Sequence, residues 1–265
     1  MSPTPVRVSD MFPSYEALDE QGETLSLLCA THAAQRRALI DPQWMGSYLA
    51  FADRYCGALM RSERHRELVQ FSSRSLRFGR DAGNQAAFHS IQVMNVLGRH
   101  RLWQTLPHHV ADDLVRACAS FHPSVSGWAW GTAMAIYSEN HLSSRVETCF
   151  SRTRPRPLDS DQSIAINIYI NANCLSGVDK SQEALALIEH NWDHYLRLRV
   201  NRDAHELLPY LAAAKCHLAI GNRIEAESFL DEATVILADW DNPGQPRAAQ
   251  SVRDRIGAIR SVLAR

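Results

Sequence analysis

Apolar positions recur along the chain at helical spacing, in stretches that alternate with short polar turns. The clearest unit runs over 205–222 and continues over 223–233. Tyr210, Leu211, Ala214 and Leu218 share one helical face, and Leu230, Ala233 and Leu237 share another. Gly221-Asn222 separates the two as a turn. Ala214 and Ala226 are small where two such helices cross closely. The preceding unit begins near Ser163, turns at 176–181, and carries Leu185, Ile188, Trp192 and Tyr195 on one stripe of its second helix.

Earlier stretches keep the spacing in weaker form. Helices are predicted over 44–60 and 63–78, with a turn at Arg61-Ser62. A further helix is predicted over 86–97, with a turn at Gly98-Arg99-His100 and a partner helix after Pro107, an acceptable first-turn proline. Another pair falls at 127–137 and 144–150. First helices thus start near 44, 85, 126, 163 and 205, a step of about 40 residues. One segment disagrees locally: 164–171 alternates with period two and is rich in β-branched residues, as a strand would be. It lacks a partner strand and stands where the register requires a first helix, so a helix is expected. The Pro-bearing run 152–157 is the best linker. Behind a loop at 242–246, a last helix over 248–263 places Val252, Ile256, Ile259 and Leu263 on one face, as a cap would. The expected class is all-α: an α-solenoid of about five antiparallel helix pairs. An N-terminal segment and leading helix (1–43) precede the array (44–241), and a capping helix (242–265) follows it.

The pattern Ala214, Gly221, Ala226, Leu230, Ala233 is similar to the tetratricopeptide consensus. The run 165–174, with Gly177 and Glu183-Ala184-Leu185, resembles the two helices of a pentatricopeptide unit. The resemblance implies a helical-repeat fold. It also implies that an Asn at the place of Asn167 helps read an RNA base. Those families step by 34–35 residues and place one base per repeat, so the longer, irregular step here disturbs an RNA register.

Composition narrows the classes. No apolar run approaches the ~18 residues of a membrane span, so no membrane insertion is expected. The formal net charge of −1 argues against coating nucleic acid by charge alone. Of 28 Lys and Arg, only Lys180 and Lys215 are Lys. The arginines cluster: residues 61–101 hold Arg61, Arg64, Arg66, Arg74, Arg77, Arg80, Arg99 and Arg101 against Glu63, Glu67 and Asp81, a net +5. Residues 203–241 carry −6. Arg74, Arg77 and Arg80 follow one another at i, i+3 on one ridge, suited to phosphate or to an acidic protein surface. The six cysteines lie far apart in apolar stretches and read as small buried hydrophobes in a reducing compartment. The tryptophans read mainly as inter-helix core.

Motifs of chemistry are weak. His108 and Asp112 share a helical face, but a metal site there needs further ligands, and the acids suit a helix start. No His-Glu-x-x-His, Gly-x-Ser-x-Gly or Gly-rich phosphate loop occurs. The expectation is a non-enzyme without metal or cofactor, a scaffold subunit of a larger assembly whose partners are other protein subunits. The alternative is a single-stranded RNA binder using the arginine ridge and Asn167. The N-terminus lacks the apolar stretch of a secretory signal, and its first 25 residues carry one Arg against five acids. An intracellular site is expected. Family analogy favours a mitochondrial ribosomal or respiratory complex, with the cytoplasm as the alternative.

Overall fold

A computed structural model describes residues 20–79, 84–103, 105–153, 161–198, 207–238 and 246–265. These residues form helices and no strand. The helices are α1 (Glu20–Ile40), α2 (Met45–Arg61), α3 (His65–Phe78), α4 (Gln85–Trp103), α5 (His108–Ala117), α6 (Pro123–Glu139), α7 (Ser143–Thr153), α8 (Asp161–Ser176), α9 (Ser181–Leu198), α10 (Leu208–Ala219), α11 (Arg223–Ala238) and α12 (Pro246–Leu263). The period-two segment 164–171 lies inside α8, so helical register prevails over β-propensity there. Arg80, the middle of the Pro-bearing linker and most of the loop before α12 lie outside the described residues.

Four helix exits repeat one hydrogen-bonded turn. The amides of Arg64, Leu142, Lys180 and Asn222 donate to the carbonyls of Leu59, Tyr137, Leu175 and His217, each five residues back. The residue before each donor is left-handed: Glu63, His141, Asp179 and Gly221, with φ of 54°, 55°, 63° and 82°. This is the Schellman closure, which satisfies the last carbonyls of the helix and turns the chain back.

Helices α2, α4, α6, α8, α10 and α12 pack serially, each on the next. On the outer side α3 packs on α4, α5 and α7 on α6, α9 on α8 and α10, and α11 on α10. Small residues are fully buried within these packed helices: Ala133, Ala172, Ala214 and Ala226 have no exposed surface. Two cores result. One joins α1 to α4 around Leu49, Leu59, Leu68 and Ile91. The other runs from α4 to α12 around Met134, Ile168, Tyr210 and Leu230.

The turn expected at Gly98-Arg99-His100 does not form, and α4 continues to Trp103. A Cβ on Gly98 would come within 3.0 Å of Leu68 Cδ2 and 3.1 Å of Val69 Cγ2. The glycine therefore lets α4 lie close on α3 and ends no helix. α4 packs mainly on α2, α3 and α6, and α5 packs on α6. Cys56, Cys118, Cys149, Cys174 and Cys216 are buried as expected, but Cys29 is exposed on α1. No described helix is long and apolar enough to cross a membrane.

Candidate functional site

The serial wall of helices encloses a cavity of about 230 Å³. α2, α4, α6, α8, α10 and α12 all contribute to it, as does the start of α3. Its apolar floor comes from Met60, Met94, Leu97, Ile170, Leu208 and Val252. Gly127, Gly131 and Thr132 of α6 also line it, with Trp128, which is 47% exposed.

Three arginines line the same cavity: Arg61 from α2, Arg101 from α4 and Arg255 from α12. Arg255 donates to the Tyr169 hydroxyl at 3.1 Å and lies 3.5 Å from the Glu63 carboxylate. It thereby joins α12 to α8 and to the α2–α3 turn. Arg101 makes no hydrogen bond or ion pair among the described residues, although its charge acts on Tyr169, His65, His100 and Glu139.

The field of these cations marks the neighbouring groups. Burial alone would push the Tyr169 phenol up, but Arg255, Lys215 and Arg101 together hold it below its ordinary value. His65 is pulled down by burial and by Arg101 and Arg255, against the opposing Glu63. Its imidazole is therefore neutral at physiological pH, and its buried Nδ1 has no hydrogen-bond partner. Just behind, His100 is pushed down to about 4 by burial and by Arg101, while burial pushes Glu139 up. His100 Nε2 approaches Glu139 Oε2 to 2.9 Å without hydrogen-bond alignment.

The structure brings together three of the residues singled out in the sequence: Arg61, Arg101 and the half-buried Asn167 all line the cavity. It does not bring Arg64, Arg66, Arg74, Arg77 or Arg99 there. Arg64 is held by Glu67 in an ion pair one helical turn away, with Nε 2.8 Å from Oε1. Arg66, Arg74 and Arg77 are exposed on α3, and Arg77 Nε donates to the Ser73 carbonyl at 3.2 Å. Arg99 lies over the Trp103 ring, 5.6 Å from its centroid. Asp112 accepts from the Tyr137 hydroxyl at 2.6 Å and pairs with Arg145, so the face it shares with His108 serves the packing of α5 on α6 and α7.

Sequence reasoning missed Glu63, His65, Tyr169, Trp128 and Arg255. Arg255 had a signal: it stands three residues after Val252 and one before Ile256, at the border of the apolar stripe of α12. Trp128 had none, because the tryptophans read mainly as inter-helix core, and Tyr169 stood only within the strand-like run 164–171. No protein-family model, no curated protein and no solved structure matches the chain.

Proposed function

We propose that this chain is a non-catalytic helical-repeat interaction protein, a scaffold subunit of a larger protein assembly. Its array is an α-solenoid of about five antiparallel helix pairs, with the second pair opened between α4 and α5. α12 caps the last pair. The observation that carries this reading is the serial packing of α2, α4, α6, α8 and α10, with the same Schellman closure behind four of them. Repeated units stacked on their neighbours give an extended wall, and such walls hold partners. The polarised charge, positive over 61–101 and negative over 203–241, suits docking with a fixed orientation. A mitochondrial ribosomal or respiratory assembly is the home that the pentatricopeptide resemblance suggests, and the cytoplasm is the alternative.

RNA binding is the second reading, favoured by one observation: Asn167 shares its cavity with Arg61, Arg101 and the exposed ring of Trp128. Gel filtration and cross-linking of the native-source protein, before and after ribonuclease digestion, separate the two. The scaffold reading expects a high-mass complex with protein neighbours that survives digestion. A monomer at native concentration overturns it, and a complex that dissolves on digestion moves the assignment to RNA.

A further inference from the structure

We infer that the cavity between α2, α4, α8 and α12 is a binding site for a small amphiphilic anion: one carboxylate or phosphate head on an aliphatic body. The inference goes beyond the scaffold reading and needs no protein partner.

Size excludes larger occupants. About 230 Å³ lies just below the ~300–1,000 Å³ of sites for drug-sized molecules, so the cavity takes a small molecule and not a folded chain. Its floor is apolar: Met60, Met94, Leu97, Ile170, Leu208 and Val252 bury the hydrocarbon body of a ligand.

Charge sets the head group. Arg101 and Arg255 both line the cavity, and Glu63 is the one carboxylate among its described lining residues. Glu63 lies against Arg255 at 3.5 Å, and no hydrogen bond or ion pair among the described residues engages Arg101. A guanidinium fork beside an apolar wall is best satisfied by a bidentate oxyanion, either a carboxylate or a phosphate. The same cations repel an ammonium or a metal ion. His65 also lines the cavity beside Arg101 and Arg255, and burial with these two cations lowers its pKa, so that it adds no competing charge. Ser251 and Arg255 place α12 on the cavity, so a bound anion also draws that helix toward α2 and α4.

Isothermal titration calorimetry on the full chain, with octanoate, octyl phosphate, 1-octanol and octylammonium, tests this. The expected result is 1:1 binding of octanoate, octyl phosphate or both, with 1-octanol and octylammonium at least tenfold weaker. Comparison of the two anions assigns the head group. Arg101→Gln, at an exposed position, is expected to fold normally and to lose at least tenfold in affinity for the anion. Leu97→Trp, which fills the floor, is expected to abolish binding, and Arg74→Gln, outside the cavity, to leave it unchanged. Equal binding of 1-octanol, unchanged affinity in Arg101→Gln, or no binding of either anion overturns the inference. None of these results bears on the protein assembly, whose own test is the ribonuclease-resistant complex.

Discussion

Glu63, His141 and Asp179 hold a left-handed backbone at the same place in three helix exits, and Gly221 fills it in a fourth. For a residue with a Cβ this conformation costs about 1–2 kcal/mol. His141→Gly removes that cost but gains chain entropy in the unfolded state, so a net stabilisation of about 0.5–1 kcal/mol is expected, read as a rise in Tm. Gly221→Ala should lower stability by about 1 kcal/mol, and the cost is purely conformational because an added Cβ meets nothing within 4 Å. Thiol exposure gives a second residue-scale test. Cys29 is exposed, while burial pushes Cys118 and Cys216 up to about 11 and Cys149 up to about 12. One thiol, removed by Cys29→Ser, should react quickly with a disulfide reagent in the native protein, and the rest only on unfolding. Protonation supplies a third. His100 binds its proton only near pH 4 in the folded chain but near 6.5 when unfolded, so stability should fall as pH drops from 6.5 toward 4. His65 and His89, also lowered, act in the same direction. Glu139, raised by burial, stabilises below its ordinary 4.5 and offsets part of the loss at the acid end. His100→Gln should flatten the decline of Tm between pH 7 and pH 5.

At the scale of the element, α4 is the instructive case. Gly-Arg-His before a polar stretch reads as a turn, because glycine is a breaker unless a neighbour requires it. That requirement comes from Leu68 and Val69 on α3, some thirty residues earlier in the chain. Gly98→Val should drive the two helices apart and lower stability by about 1–3 kcal/mol, measured by urea denaturation. Elsewhere the helical pattern was read correctly: the stripes of α9, α10, α11 and α12 are local, and Tyr195, Ala214, Leu230 and Ile256 are buried as their spacing predicts. The strand-like alternation of 164–171 was also resolved correctly as helix, by register with the neighbouring units.

For the whole molecule, the charge imbalance divides in two. Arg61 and Arg101 line the cavity, Arg101 from an exposed position, while Arg74 and Arg77 are exposed on α3 and do not line it. A nucleic-acid surface would need the outer pair to act through phosphate contacts. Under the scaffold reading, a random single-stranded RNA pool should not bind detectably at low salt. Salt-steep binding that is lost on changing Arg74 and Arg77 to Glu would transfer the function to RNA.

The sequence by itself determined the helices, most of their ends and the faces they bury, because helical periodicity and turn chemistry act over a few residues. It also pointed to Arg61, Arg101 and Asn167, though for different reasons and without linking them. Only the tertiary structure decided that these three meet, and that Arg255, Tyr169, Glu63 and His65 join them from helices far apart in the chain. A site of this kind is assembled from one or two side chains per helix. Its composition depends on how successive helices stack and where α12 crosses them, and no local pattern of residues encodes that.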